Sequence, residues 1–227
     1  MIDNFFHERQ LWERGYRQVA GIDEVGRGCL CGPVLAAAVV FPGPVLIPGL
    51  DDSKRLTAKE RERLVPLIYQ LANSVTLGAA SSHEIDRLNI LQATRLAMKR
   101  AVSRLQPQPD ALLIDAVVLP SISTLQRNLV RGDQLSASIS AASVIAKVVR
   151  DRLMRQYHQV HPGYGIDRNK GYPTSEHKAA IRSLGLTPCH RRTFQGVKEW
   201  VCPPSGQPLG AQGEISSDGL PLFSGST

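Results

Sequence analysis

Residues 19–28 read VAGIDEVGRG, and this stretch decides the fold that we expect for the chain. It begins as an apolar strand, carries Asp23 and Glu24 side by side, and ends in a Gly-Arg-Gly turn. Successive side chains of a strand point to opposite faces, so both carboxylates can face one metal ion only if the backbone bends. We interpret the stretch as a metal site next to a phosphate site. A hairpin with an acidic exposed turn is the alternative.

The turn itself supplies donors for a negatively charged ligand. Gly26 and Gly28 tolerate positive φ and let backbone N–H groups approach a ligand closely. Arg27 adds a planar fork of guanidinium donors between them. The sequence therefore predicts an anion-binding turn directly after the acidic pair.

The composition indicates one basic domain with a polyanionic partner. The chain has 227 residues and a formal net charge of +7, which favours nucleic acid over a membrane as the partner. The sequence has no run of about 18 apolar residues, and its N-terminus lacks the pattern of a secretory signal. We therefore expect a cytoplasmic protein whose four cysteines are reduced thiols.

Hydrophobic patterning predicts an α/β protein. Strands are expected at 19–24, 34–41, 74–80 and 111–115, with a further strand and turn at 127–133. Helices are expected at 4–14, 88–105 and 136–159, and after Thr174. Thr57 followed by Glu60 is a capping-box pattern, which predicts another helix from Ala58 to about Leu71.

Two further carboxylates are candidate metal ligands. Asp115 ends a short buried strand, and sites in α/β sheets lie at the carboxyl ends of strands. Asp151 continues the apolar stripe of the helix over 136–159, where a carboxylate needs a cationic partner. Lys147 lies four residues before Asp151 and is the alternative partner to a metal ion.

The four carboxylates lie on three elements of a basic chain. Carboxylates brought together repel one another, and hard divalent cations such as Mg²⁺ and Mn²⁺ relieve that repulsion through oxygen ligands. Two such ions can activate a water and stabilise the leaving oxygen of a phosphodiester. Hydrolysis of a nucleic-acid backbone is the function that uses both the acidic groups and the basic charge.

Lys54 and Tyr172 are candidate substrate contacts. Lys54 precedes the N-terminus of the helix expected from Ala58, where a phosphate binds favourably. Tyr172 belongs to a loop over 161–177 that is rich in Gly, Pro and Asn, and its ring could stack on a sugar or base. Solvated surface loops are the alternative for both residues.

Six spaced motifs resemble those of prokaryotic type 2 ribonuclease H, the ribonuclease HII family. In the family's order they are DEVGRG (23–28), DDSKRL (51–56), LLID (112–115), SISAASVIAKVVRDRLM (138–154), NKGYPTSEH (169–177) and HRRTF (190–194). The resemblance covers residues 19–197. It implies a ribonuclease H-like α/β fold, in which helices flank a central mixed sheet, with a helical C-terminal part.

The resemblance also implies roles for single residues. The family's catalytic, metal-binding carboxylates map to Asp23, Glu24, Asp115 and Asp151. Its turn that reads the ribose 2′-hydroxyl, the group that distinguishes RNA from DNA, maps to Gly26, Arg27 and Gly28. Its tyrosine that packs on the neighbouring sugar and its phosphate-binding lysine map to Tyr172 and Lys54.

The implied reaction is metal-dependent endonucleolytic hydrolysis by a monomer. It cuts the RNA strand of RNA–DNA hybrids and the 5′ side of single ribonucleotides in duplex DNA, which leaves 3′-hydroxyl and 5′-phosphate ends. The chain departs from the family where Ala116 and Pro173 replace frequent glycines. Pro173 fixes φ near about −65° and could shift Tyr172. A non-catalytic nucleic-acid-binding module and another two-metal nuclease of the same fold are the alternatives.

The end of the chain differs in composition from the rest. Residues 203–227 are rich in Gly, Ser and Pro and carry no Lys or Arg, so we predict a disordered tail after a catalytic domain over 1–202. Within the tail, GLPLF (219–223) is similar to the peptide by which bacterial proteins bind the replication sliding clamp. Its apolar anchors would be Leu220, Leu222 and Phe223, and a chance match is the alternative.

Overall fold

A five-stranded mixed sheet forms the centre of the protein, whose computed structural model describes residues 4–50 and 56–201. The strands are β1 (Val19–Val25), β2 (Val34–Val40), β3 (Ser74–Ala80), β4 (Ala111–Asp115) and β5 (Leu125–Leu129). Their order is β3-β2-β1-β4-β5. The pairs β1–β2 and β2–β3 are antiparallel, whereas β4 lies parallel to β1 and β5 parallel to β4.

Helices cover both faces of the sheet. They are α1 (Phe6–Trp12), α2 (Ala58–Leu71), α3 (Ser82–Leu88), α4 (Ile90–Ser103), α5 (Ala137–Val160), α6 (Ile166–Asn169) and α7 (Ser175–Leu184). The apolar side chains of α4 pack on one face, and those of α2 and α5 pack on the other. α6 and α7 form a smaller C-terminal core with the end of α5. The predicted fold class, including the helical C-terminal part, is confirmed.

The capping box predicted for α2 is present. The Thr57 hydroxyl accepts a hydrogen bond from the Glu60 N–H (3.3 Å), and the Glu60 carboxylate accepts one from the Thr57 N–H (2.7 Å). These two bonds satisfy backbone and side-chain groups at the start of the helix. The helix spans Ala58–Leu71 as expected and includes Pro66.

Two predicted boundaries were wrong. The helix expected over 88–105 begins at Ile90, because Asn89 takes a φ of +68° and caps α4 by accepting the Gln92 N–H (3.1 Å). A separate short helix, α3, precedes it. The strand expected over 127–133 is Leu125–Leu129, and the chain turns at Arg131, whose φ is +58°.

Close contact between α5 and β1 fixes the centre of the fold. A Cβ atom on Gly21 of β1 would lie 2.2 Å from the Ser138 carbonyl carbon at the start of α5, so only glycine fits there. The fully buried Glu8 of α1 holds the same helix end, because its carboxylate accepts the Ser138 N–H (2.9 Å) and the Ser136 hydroxyl (2.6 Å). α5 is therefore seated firmly on the strand that carries the acidic pair.

Three of the cysteines are described, and all three are free, buried thiols, as predicted: Cys29, Cys31 and Cys189. Cys202, Lys54 and the tail over 203–227 lie outside the described residues. None of the described helices has both the length and the apolar character required to cross a membrane.

Candidate active site

Three aspartates meet at the carboxyl ends of parallel strands. Ile22 of β1 pairs in register with Ile114 of β4, which places the next residues, Asp23 and Asp115, side by side. β5 runs parallel to β4 and leads into the 3-10 turn Gly132–Gln134, which carries Asp133. One carboxylate oxygen from each of Asp23, Asp115 and Asp133 lies within 4.8 Å of the other two.

The environment of Asp23 perturbs its carboxyl strongly. It is buried, and burial together with the charges of Glu24 and Asp115 raises its pKa to about 8. The Ser143 hydroxyl on α5 and the Glu24 N–H (2.7 Å) hydrogen bond to it and act in the opposite direction. A carboxyl in this environment carries a proton at neutral pH unless a cation balances its charge.

Glu24 stands beside the three aspartates, not among them. β1 continues without a break through Val25, so Asp23 and Glu24 project to opposite faces of the strand. One Glu24 oxygen accepts from the Arg27 guanidinium (3.1 Å), and the other is buried with no hydrogen-bond partner among the described residues. Burial raises the Glu24 pKa, while Arg27 lowers it. A buried carboxylate oxygen without a partner is a group that a cation would satisfy.

The backbone after β4 directs Asp115 and Asp133 toward each other. The Asp115 carboxylate accepts the Gly132 N–H (3.0 Å), which joins the end of β4 to the turn that carries Asp133. Ala116 has a φ of +52°, in the left-handed region that glycine adopts most easily, and its N–H donates to the Leu129 carbonyl (3.2 Å). Glycine would adopt this conformation at a lower cost than alanine.

Asp151, the fourth carboxylate in the prediction, does not join the cluster of Asp23, Asp115 and Asp133. It accepts a hydrogen bond from Lys147 (2.8 Å) and lies 3.9 Å from the Arg61 guanidinium. Ser143, which contacts Asp23, lies eight residues before it on α5, a rise of about 12 Å. The ion pair with Lys147, considered above as the alternative, is the one that forms.

Asp133 is the carboxylate that the sequence reading did not identify. The sequence predicts a strand and turn over 127–133 and assigns no role to the aspartate in that turn. The available signal was its position: like Asp115, it follows a strand parallel to β1, and the carboxyl ends of such strands share one edge. Its side chain is 3% exposed.

The Gly-Arg-Gly turn lies next to the loop of Tyr172. Arg27 and Gly28 are exposed, and Gly26 has a φ of +92°. The Leu30 N–H donates to the Gly171 carbonyl (2.7 Å), which ties the segment after the turn to the Tyr172 loop. The Tyr172 ring is partly exposed, with the Lys147 ammonium 6.0 Å from its centroid. The structure thus brings the turn and Tyr172 together.

A chain of buried hydrogen bonds fixes the backbone at Tyr172. The Thr187 N–H donates to His190 Nδ1 (3.0 Å), so the His190 Nε2 carries the proton and donates to His177 Nε2 (3.2 Å). His177 Nδ1 then donates to the Tyr172 carbonyl (3.0 Å). Burial lowers the His190 pKa to about 3, in accord with this neutral pair. Cys31 also lies against the two histidines, but these bonds engage every ring nitrogen.

Comparison with known proteins identifies the family. The family model for ribonuclease HII matches residues 20–197, and its span includes the three aspartates, the turn and Tyr172. The chain belongs to the ribonuclease HII family. A ribonuclease HII from Desulfitobacterium hafniense is 52% identical over 192 residues, which cover 85% of this chain and 74% of the relative. One from Syntrophotalea carbinolica is 50% identical over 200 residues, or 88% and 96% of the two chains.

Solved structures show the same fold. The ribonuclease H2 of Pyrococcus horikoshii is 26% identical, with a TM-score of 0.68 over 80% of this chain and 96% of its own. The ribonuclease HII in a complex with PCNA from Archaeoglobus fulgidus is 24% identical, with a TM-score of 0.68 over 78% and 95%. A ribonuclease HIII in complex with Mn²⁺ is 22% identical, with a TM-score of 0.59 over 81% and 69%. As a ribonuclease HII, the chain is an endoribonuclease of the ribonuclease H type.

Proposed function

We propose that this ribonuclease HII cleaves the RNA strand of RNA–DNA hybrids and the 5′ side of single ribonucleotides embedded in duplex DNA. The products would carry 3′-hydroxyl and 5′-phosphate ends, and the activity would serve the removal of ribonucleotides from DNA. The observation that carries the proposal is the cluster of Asp23, Asp115 and Asp133, of which Asp23 lies on the strand that leads into the Gly-Arg-Gly turn. The turn would read the ribose, and the cluster would lie at the neighbouring phosphate.

The donor set of the cluster fits hard divalent cations. All of its ligand atoms are carboxylate oxygens, and the neighbouring Glu24 contributes a buried oxygen that has no partner among the described residues. Mg²⁺ and Mn²⁺ prefer such ligands, and the related ribonuclease HIII is known in complex with Mn²⁺. We propose that Asp23, Glu24, Asp115 and Asp133 hold two such ions, with Asp133 in the place first assigned to Asp151.

The protein's own residues bind and orient the substrate. Bound divalent cations would supply the activation of a water and the stabilisation of the leaving oxygen. The turn over Gly26–Gly28 would contact the 2′-hydroxyl, and Tyr172 would pack on the adjacent sugar. Ser143 holds the Asp23 carboxylate in place through its hydroxyl. We keep Lys54, which lies outside the described residues, as a proposed phosphate contact.

Cleavage of three labelled substrates tests the proposal. These are a DNA duplex with one ribonucleotide, an RNA–DNA hybrid and an all-DNA duplex, each with Mg²⁺, with Mn²⁺ and with chelator. We expect one cut 5′ to the ribonucleotide, cleavage of the hybrid, no cut in all-DNA, and loss of all activity with chelator. Binding without cleavage would favour the non-catalytic module, and cleavage of the all-DNA duplex would favour another two-metal nuclease.

Cleavage of the hybrid without the single-ribonucleotide cut has a specific meaning. It would show that the protein is a nuclease with a weak preference for single-ribonucleotide junctions. We would attribute that weak preference to Pro173, which follows Tyr172 directly. Reversion to the family's glycine, Pro173→Gly, should then restore the cut. Cytoplasmic location and a monomeric state remain predictions, which cell fractionation and light scattering would test.

A further inference from the structure

Arg191 is a fully buried arginine that holds the Gly-Arg-Gly turn from behind. Its Nη2 donates to the Gly26 carbonyl (2.6 Å), its Nη1 to the Arg27 carbonyl (2.9 Å) and its Nε to the Gly32 carbonyl (3.0 Å). Three carbonyls are thus bound by one planar group. Only a guanidinium has enough donors in a fixed fork to make this set of contacts.

The contacts with Gly26 and Arg27 also determine where the amides of the turn point. In a trans peptide the C=O and the N–H of one plane point in opposite directions. The carbonyls of Gly26 and Arg27 face Arg191, so the N–H groups of Arg27 and Gly28 face away from it. Both residues are exposed, and neither N–H donates to another group within the described part of the chain. Arg191 therefore presents two parallel donors to whatever lies over the turn.

The surroundings keep Arg191 in this position. Its own N–H donates to the Leu30 carbonyl (2.8 Å), and its guanidinium lies 5.0 Å from the centroid of the Phe194 ring. The next residues are anchored to α3, because the Asp86 carboxylate accepts the N–H groups of Arg192 (2.9 Å) and Thr193 (3.0 Å). The arginine clamp, by which we mean Arg191 and its bonds to the turn, is thus attached both to the segment that follows the turn and to α3.

A second buried arginine closes the remaining side of the turn. Arg150 donates to the carbonyls of Pro33 (3.1 Å), Cys31 (3.2 Å) and Lys170 (2.8 Å). A Cβ atom on Gly26 would lie 2.2 Å from its Nε, so the turn cannot move back toward α5. Arg150 supports the base of the turn, whereas Arg191 donates to the carbonyls of Gly26 and Arg27.

We propose that Arg191 is the positioning residue of the 2′-hydroxyl sensor. It aims the N–H groups of Arg27 and Gly28 at the ribose oxygen without touching the substrate itself. The inference rests on the proposed function, in which this turn contacts the ribose. Without the clamp the peptide planes at Gly26 and Arg27 can rotate, and the protein binds a ribonucleotide junction little better than DNA.

Discrimination between two duplexes tests the inference. KM is measured for cleavage of a duplex with one ribonucleotide in Mg²⁺, and Ki is measured for an all-DNA duplex of the same sequence as competitor. The ratio Ki/KM reports recognition of the 2′-hydroxyl and does not depend on the fraction of active protein. In Arg191→Lys, which keeps the charge but loses the fork, we expect the ratio to fall about tenfold, as the loss of two hydrogen bonds implies.

Two further variants separate positioning from stability. Met98→Ala opens a cavity in the core under α4, far along the chain from the turn, and should lower the melting temperature with Ki/KM unchanged. Asp86→Ala removes the anchor of residues 192 and 193 and should lower Ki/KM by a smaller factor than Arg191→Lys. Asp86→Ala also decides the matter if Arg191→Lys does not fold.

Results that refute the role of Arg191 can be distinguished from results that refute the proposed function. If the wild-type protein does not cut the ribonucleotide duplex, the proposed function is wrong. If it cuts, and both variants keep the wild-type Ki/KM while only the apparent kcat falls, Arg191 is merely structural and the inference is overturned. A wild-type ratio near one would overturn it as well, because the turn would then provide no discrimination in binding.

Discussion

Asp23 is a carboxyl whose ionisation works against the fold. Its pKa is about 8 in the folded protein against an ordinary 3.8, chiefly because it is buried. The pKa of Asp23 is higher in the folded protein than in the unfolded chain. Its contribution to the free energy of unfolding is therefore complete below about pH 4 and is lost as the pH rises toward 8. Asp23 in the aspartate cluster therefore destabilises the metal-free protein at neutral pH.

Asp23→Asn should relieve this penalty. In chelator, we expect the variant and the wild-type protein to have the same melting temperature near pH 4. At pH 8 we expect the variant to melt at a higher temperature, because its free energy of unfolding is larger by on the order of a few kcal/mol. Thermal melts at pH 4, 6 and 8 measure the difference. Added Mg²⁺ serves as the control, since it should stabilise the wild-type protein and not the variant. A difference that did not change with pH would contradict the explanation.

Asp133 and Asp151 make a matched pair of aspartates for testing the metal site. Both are buried, but Asp133 lies with Asp23 and Asp115, and Asp151 forms ion pairs with Lys147 and Arg61. We expect Asp133→Asn to lower kcat at least about 100-fold, because even residues that only support metal ligands cost 10–100-fold. Asp151→Asn should retain most of kcat and lose thermal stability instead. Equal loss of kcat in both variants would indicate that Asp151 is also a metal ligand.

Sequence patterns located two of the three clustered aspartates, and for the same reason. Asp23 and Asp115 each end an apolar run, and such runs are visible as strands in the sequence. Asp133 follows β5, of which only Leu129 is buried, so the hydrophobic pattern places the end of that strand poorly. Arg191 belongs to the HRRTF motif (190–194), but its role cannot be read from local pattern, because its partners lie about 160 residues away.

At the scale of elements, the contact of α5 with β1 decides the geometry of the site. The helix carries Ser143 against Asp23, and the contact is possible because Gly21 has no side chain. A methyl group there would overlap the backbone of Ser138, which cannot move aside as a flexible side chain would. α5 would have to shift away from the sheet.

Gly21→Ala adds only a methyl group, but it should therefore lower the free energy of unfolding substantially. Overpacking in a core costs typically about 1–3 kcal/mol, and contact with a helix backbone belongs at the upper end of that range. Denaturant unfolding measures the change, and we expect kcat to fall as well because Ser143 moves with α5. Ala20→Gly, at a neighbouring buried position of the same strand, is a control for the backbone effect of glycine. An unchanged midpoint in Gly21→Ala would contradict the close contact.

Element positions were predictable where local chemistry marks them. The capping boxes and apolar runs gave α2, β3 and β4 with their ends. The errors occurred where one residue reverses the backbone, as at Asn89 and Arg131, which adopt positive φ. Such conformations are uncommon for residues other than glycine, so no pattern in the sequence indicates them.

At the scale of the whole molecule, the predicted tail should be dispensable for catalysis. The matched family model ends at residue 197, and the basic charge of the protein resides in the residues before 203. A variant that ends at Cys202 should keep its melting temperature and its cleavage rate within about twofold. A large loss of either would show that residues 203–227 belong to the folded domain.

The same tail is the proposed contact with a sliding clamp. The GLPLF segment (219–223) offers three apolar anchors for such a contact. We expect a peptide of residues 214–227 to bind the bacterial clamp, and a peptide with Leu222 and Phe223 replaced by alanine not to bind. Absence of binding at about 100 µM would exclude this contact.

The clamp on the Gly-Arg-Gly turn orders events as the chain leaves the ribosome. The clustered aspartates, up to Asp133, emerge well before Arg191, and folding during synthesis generally begins on the N-terminal side. A nascent chain of this protein could thus assemble its acidic centre while the turn that we propose to contact the ribose is still free to rotate. The ability to select a substrate would be acquired last, within the final sixth of the sequence.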